Sequence, residues 1–371
     1  LLLAITYGLA TTFWQELPTL SVSPSVQTDS SATGPRITGQ IEYLIHPLGK
    51  VLQDKLWQSQ AWSRTDTRYS GIGYPYKPAT FRLTLENPAS EPATSQVTVP
   101  TPYLDHLQPA LIHPDGQIER LPAMGDRYPF DQRYLALPQW VWPVTLQPGT
   151  TTLLVEVQNH GPVLLPVTLS DSAEALGAGT AITAWKSFVT GLLVFALLLN
   201  LSIVAKLRRP GLAWLSVLMI SVIYSQLVMD GLGLWLIWPA LPELNALLNI
   251  SLPLCLIALC EFTPHFLQLA RTEARILRAF SLLAGAHLLA APLGFHFLGQ
   301  HAFLMSSAVG GLFIFALSLR QLNSHVYARY YALSVLAIVI GAVTSSLRTV
   351  GWLPVNAVTD SAFFLGAATG S

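Results

Sequence analysis

Between Ile37 and Leu169 apolar and polar residues alternate in short runs. In Thr80-Phe81-Arg82-Leu83-Thr84-Leu85 every second side chain is apolar, and Thr152-Leu153-Leu154-Val155-Glu156-Val157 nearly keeps that rhythm. Successive side chains of a strand point to opposite faces, so each run offers one apolar face to a core. Turn chemistry separates the runs at Glu86-Asn87-Pro88, His113-Pro114-Asp115-Gly116 and Gln147-Pro148-Gly149. No segment of comparable length sustains a 3.6-residue period. The pattern predicts an antiparallel β-sandwich of jelly-roll type over residues 37–172.

From Ala184 the pattern changes to long apolar stretches. Ser187 to Ala205 carries no charge, and at 1.5 Å per helical residue it is long enough to cross a hydrocarbon core of about 30 Å. Similar stretches predict a transmembrane domain over 184–371 with helices at about 187–205, 212–229, 246–269, 280–298, 303–319, 331–347 and 357–371. The seventh is incomplete: residues 357–371 are fewer than the roughly 20 a span requires, so it is expected to continue past Ser371. Residues 173–183, rich in small side chains, are expected to form a hinge. At the N-terminus, 1–21 is a short apolar run whose Gly8-Leu9-Ala10 suits signal peptidase. It reads as a signal peptide lacking its start, with an uncleaved anchor helix as the alternative. The Ser-, Thr- and Pro-rich 22–36 reads as a linker.

Charge gives the membrane domain its direction. Residues 1–183 hold 10 Lys and Arg against 15 Asp and Glu, net −5, and 184–371 hold 10 against 5, net +5. Lys206, Arg208 and Arg209 directly follow the first apolar stretch. Loops rich in Lys and Arg stay on the cytoplasmic side. With the first helix running inward, Arg271, Arg275, Arg278, Arg320 and Arg329 also fall inside, and only Lys186 and Arg348 fall outside. Residues 22–183 are therefore expected outside the membrane, with the C-terminus cytoplasmic. The loop after the second helix, GLGLWLIWPALPEL, has two tryptophans and no Lys or Arg, which suits an outer interface. Cys255 and Cys260 lie in an apolar segment, so no disulfide framework is expected outside. No strongly basic surface suggests nucleic acid.

Pro102 to Arg133, PYLDHLQPALIHPDGQIERLPAMGDRYPFDQR, and the later QPGTTTLLVEVQNHGPVLLPVTL resemble the second type of extracellular domain of bacterial seven-transmembrane receptors with diverse intracellular signalling modules. Upstream, GIGYPYKPATFRLTLENP is similar to that family's strand with an Arg and its following turn. The most specific piece is Gly125-Asp126 with Phe130 and Arg133, and the resemblance spans about 37–371. A Tyr-Asn pair expected in the first helix is Leu199-Asn200 here. The resemblance implies a bacterial inner-membrane protein with 22–183 in the periplasm, a small-molecule ligand, carbohydrate among the candidates, and a cytoplasmic diguanylate cyclase or histidine kinase type of module beyond Ser371; a homodimer is expected as well.

Candidate residues follow, each with a plainer structural role beside it. Asp126 and Arg133 could pair bidentately and fix a loop, or offer hydrogen bonds to a sugar or an anion. Trp140 and Trp142, two apart beside Pro143 in QWVWPV, share one face of a strand at an edge or bulge position, where they either stack on a sugar or cover the sheet. Arg82 and Tyr74 are further ligand candidates, the latter in an aromatic group with Trp57, Trp62, Tyr69 and Tyr76. Within the membrane, Glu261 and His265 sit four apart on one helix face. They could relay protons or hold the helix to a neighbour. His287 in the fourth helix and His296 and His301 in an outer loop match no metal spacing. No phosphate-cradling loop, nucleophile elbow or Cys-x-x-Cys is present.

Three functions were weighed on these features. A receptor would bind a ligand outside and bias two packings of the helices. A transporter or channel should show inverted repeats or broken helices polar at mid-membrane, and an intramembrane hydrolase should show convergent metal ligands. Neither signature is evident. The chain is thus expected to be a sensor without catalytic residues or a cofactor of its own.

Overall fold

The computed structural model describes residues 34–349 and 353, apart from 60, 66–69, 74, 76, 291–295 and 323–325. The N-terminal run, most of the linker and the seventh helix at 357–371 lie outside the described residues. The chain divides into two compact units, one holding the strands together with residues 229–245, the other built of helices.

Among the described residues the first unit holds eleven strands: β1 (Arg36–Ile45), β2 (Ser63–Arg64), β3 (Gly71–Gly73), β4 (Ala79–Asn87), β5 (Ala93–Val99), β6 (His106–Ile112), β7 (Ile118–Arg120), β8 (Trp140–Leu146), β9 (Gly149–Gln158), β10 (Val163–Leu164) and β11 (Thr168–Ser170). A six-stranded sheet has the order β2-β1-β4-β9-β6-β7 and a three-stranded one β11-β5-β8, while β10 and β3 pair separately. The pairings are antiparallel. This is the expected β-sandwich. In β4, Phe81, Leu83 and Leu85 point into the core, and Val155, Leu153 and Thr151 of β9 stand opposite them in register. From the smaller sheet come Val97, Val99, Trp140, Trp142, Val144 and Leu146. One-sided burial explains the alternation, because a one-residue slip would turn every inward side chain to solvent. The expected turn at Asn87 is tied by its own amide, which donates to Glu91 O and Leu146 O, both at 2.9 Å. A second, smaller core of Val51, Trp62, Ile112 and Leu154 lies under the helical turns near 50–58.

The long helices are α1 (Ser172–Leu207), α2 (Pro210–Met229), α3 (Leu248–Leu267), α4 (Arg271–Ala290), α5 (His296–Arg320) and α6 (Val326–Thr349). Ser172–Leu207, Pro210–Met229, Pro242–Leu267 and Tyr327–Ser345 are long and apolar enough to cross a bilayer, and Ser306–Arg320 is a shorter apolar helix. Polar ties join neighbours in the helical unit. Asn200 Nδ2 donates to Ser216 Oγ at 2.8 Å between α1 and α2. The hydroxyls of Ser225 and Ser251 meet at 2.9 Å between α2 and α3, and those of Thr263 and Tyr331 at 2.6 Å between α3 and α6. Away from water such bonds orient helices that hydrophobicity alone would leave free to rotate.

Helix ends differ from expectation where hydropathy and helix formation diverge. Residues 173–183, expected as a hinge, are the opening turns of α1. Asp171 Oδ1 caps this end by accepting from Glu174 N at 2.8 Å, which starts a helix wherever the following residues are good formers, here Ala175, Leu176 and Ala178. Likewise α4 begins at Arg271 rather than near 280, with Glu273 Oε2 accepting from Ala270 N at 3.3 Å. His296 and His301 stand in α5 rather than in a loop.

Trp142 is fully buried between the sheets. Trp142→Ala should lower the unfolding free energy of the first unit by about 3–5 kcal/mol, the usual result of emptying an aromatic core site. Denaturant unfolding of the full chain in detergent, followed by near-ultraviolet circular dichroism, checks this. A loss below about 1 kcal/mol would contradict the packing described.

Candidate functional site

The site lies on the loop between β7 and β8. Gly125 begins it because nothing larger fits: a Cβ there would stand 2.1 Å from the carbonyl oxygen of Asp105. That close approach sets Asp126 N on Leu104 O at 2.8 Å. A turn follows, with Tyr128 N on Gly125 O at 3.1 Å, and then a 3-10 helix at Phe130–Gln132.

Arg133 leaves that turn with its guanidinium between two rings, 4.6 Å from Phe130 and 3.9 Å from Trp140. Its Nη1 donates to the carbonyls of Leu137, at 3.0 Å, and Pro138. Its Nε and Nη2 are buried without a hydrogen-bond partner. Burial draws its pKa down to about 9, opposed by the nearby Asp126. The expected Asp126–Arg133 pair does not form. Instead the turn delivers Asp126 to a different neighbour, Arg127, whose Nε lies 3.6 Å from Asp126 Oδ1 and 3.0 Å from Asp105 Oδ1.

Asp105 and Asp126 thus share one guanidinium, and like charges so close resist joint ionisation. Burial, then the charge of Asp105, raises the Asp126 carboxyl well above the usual range. Burial also pushes Asp105 upward, but the hydrogen bond from His160 and the charge of Arg127 outweigh it and leave Asp105 lowered. His160 donates its backbone N–H to Asp105 Oδ2 at 2.9 Å, and its ring Nδ1 contacts the same oxygen. That contact raises the imidazole pKa.

The same loop is gripped by residues 229–245, the strap between α2 and α3. Phe130 N donates to Pro239 O at 2.9 Å and Asn245 Nδ2 to Asp126 O at 3.1 Å. Asn245 Oδ1 accepts from Trp238 Nε1 at 2.9 Å. Gly231, at φ 72°, fits against Pro102 and Pro138, where a Cβ would come within 2.7 Å and 3.1 Å of their Cβ atoms.

The remaining expected residues fall elsewhere. Trp140 and Trp142, 1% and 0% exposed, are core side chains and not a platform for a sugar. Their Nε1 atoms donate to Thr101 O and Pro122 O, both at 2.8 Å. Strand β8 is indeed an edge, but its inner face lies against the larger sheet. Arg82 is engaged by Glu42 and by Trp57 O at 2.9 Å, with Trp62 4.5 Å from its guanidinium, so its role is to fasten β1 and the 50–58 turns to β4. Tyr74, Tyr69 and Tyr76 lie outside the described residues. Glu261 Oε1 accepts from Ser281 Oγ at 3.1 Å across α3 and α4, while His265 is exposed near the end of α3. His287 stacks on Phe303 with centroids 5.0 Å apart. Among the described residues no three His, Cys, Asp or Glu gather as metal ligands. Asp105, Arg127, His160 and Asn245 were not singled out from sequence. The first three lie in the PYLDHL, GDR and VQNHG stretches already noted, and Asn245 directly follows the loop that ends in LPEL.

A family model described as 7TM diverse intracellular signalling matches residues 182–370, and one described as 7TMR-DISM extracellular 2 matches residues 38–171. No curated protein matches the chain.

The raised carboxyl of Asp126 has a definite sign for stability. Such a group contributes fully below its unfolded pKa of about 4 and loses that contribution as pH rises toward the folded value. Asp126→Asn should therefore gain thermal stability relative to the unaltered chain as pH goes from 4 to 8. Melting temperatures of both proteins across that interval test it; a difference that stays flat or shrinks with pH would refute the buried acid.

Proposed function

We propose, since the chain belongs to the 7TM diverse intracellular signalling family and carries its type 2 extracellular domain, that it is a bacterial inner-membrane sensor. In this reading the sandwich receives a small ligand on the periplasmic side. The helices carry the response to a cytoplasmic module of the diguanylate cyclase or histidine kinase type, and the working form is a homodimer. The observation that supports this best is the joint between loop and strap, Phe130 to Pro239 and Asp126 to Asn245. The strap continues directly into α2 at Met229 and nears α3 at Asn245. A ligand that reshapes 125–139 therefore acts on main-chain atoms that hold the strap, the segment that joins α2 to α3 in the chain.

Such a ligand shifts an equilibrium only by its differential affinity for the two arrangements. Two peptide-type hydrogen bonds and one close glycine contact are of the right size for a switch, since each bond contributes about 0.5–1.5 kcal/mol. A permanent clamp would need more. The transporter reading gains nothing from this joint, which transmits displacement and lines no path for a solute.

A chimera with a diguanylate cyclase joined after Ser371 tests the route. Asn245→Ala and Gly231→Val should each alter its basal output at least threefold at unchanged membrane levels, and should abolish any dependence on an external ligand. Unaltered output from both variants would sink the strap as the route. A cytosol-dependent reporter that stays silent at the C-terminus would sink the sidedness.

A further inference from the structure

The unpaired edge of Arg133 has a chemistry of its own. Nη1 is taken by two carbonyls, and the ring of Phe130 and that of Trp140 pack against the guanidinium. What remains is the side formed by Nε and Nη2, two N–H groups without a hydrogen bond. These two point the same way in the guanidinium plane, the fork that a carboxylate meets with two parallel bonds. Leaving such donors buried and unpaired is unfavourable, most of all on a charged group. Two further buried polar atoms on this loop also lack hydrogen bonds, Asp126 Oδ1 and Gln139 Oε1, on residues 6% and 3% exposed.

The geometry points to the Nε–Nη2 edge of Arg133 as the binding point for the carboxylate of a small organic acid. The inference rests on the sandwich being the sensing part and adds the ligand's chemical class. A carboxylate suits the place better than phosphate or sulfate. It is planar, so it lies in the guanidinium plane beside the stacked rings, and it carries a single charge that one guanidinium neutralises on burial. Asp126 does not fill this role itself, being turned to Arg127. The ring of Phe130, which packs on the guanidinium, belongs to the same turn whose Phe130 N–H donates to Pro239 O.

Thermal unfolding of the full chain in nanodiscs, at constant ionic strength, tests this with acetate, D-glucuronate, D-glucose, chloride and sulfate. Acetate and glucuronate should each raise Tm by about 2–4 °C at saturation, as any ligand of the folded state does by mass action, while glucose and chloride should not. Arg133→Lys keeps the charge but not the fork and should raise the half-saturating concentration at least tenfold. A response to acetate alone would assign simple aliphatic acids, and one to glucuronate alone would assign acidic sugars. Equal shifts with glucose and glucuronate would overturn the carboxylate while leaving the sensor reading intact. Equal shifts with chloride or sulfate, or none with either acid, would overturn it as well. Should Arg133→Lys fail to fold, the comparison of glucuronate with glucose on the unaltered chain decides. The strap variants of the chimera fail or succeed independently of all these arms.

Discussion

A positive charge buried between two aromatic rings governs this molecule's outer half. Removing the guanidinium of Arg133 from water is strongly unfavourable, and the structure offsets it with two backbone carbonyls and the faces of Phe130 and Trp140. Those carbonyls belong to Leu137 and Pro138, so the charge also closes the loop on itself. The fully buried Trp140 anchors the arrangement to the sandwich core. Because the loop closes there, the main-chain atoms of Asp126 and Phe130 stand where the strap can meet them.

Around this charge the acids divide their labour. Asp105, tied by His160 and Arg127, has its pKa lowered, while burial and the charge of Asp105 raise that of Asp126 beside it. Two carboxyls with pKa values driven apart are commonly found at sites that bind or react. Here their first effect is structural, because Asp105 also fastens the chain near His160 to the start of the loop, beside Gly125. The Arg82–Glu42 pair does similar work between β1 and β4 of the larger sheet.

Much of the fold was legible in the sequence. Period-two runs such as Phe81, Leu83 and Leu85 became inward faces because one-sided burial permits no other register. The turn at Asn87 and the edge position of Pro143 followed from side-chain and backbone chemistry alone. Helix ends were less legible, since hydropathy marks where lipid begins and caps such as Asp171 mark where a helix begins. Gly125, Asp126, Phe130 and Arg133 announced a structured loop but not its pairing. Which carboxylate meets which guanidinium is decided by a turn of a few residues. The bond between Asn245 and Asp126 joins residues 119 apart, a distance at which no local pattern carries information.

Asn245 also has a direction. Its amide nitrogen faces the Asp126 carbonyl and its oxygen faces the Trp238 indole. Rotating the carboxamide by half a turn would set oxygen against oxygen on one side and hydrogen against hydrogen on the other. An isosteric aspartate would do the first of these permanently. Hydrolysis of that one amide would therefore part the strap from the loop while leaving the volume of the side chain almost unchanged.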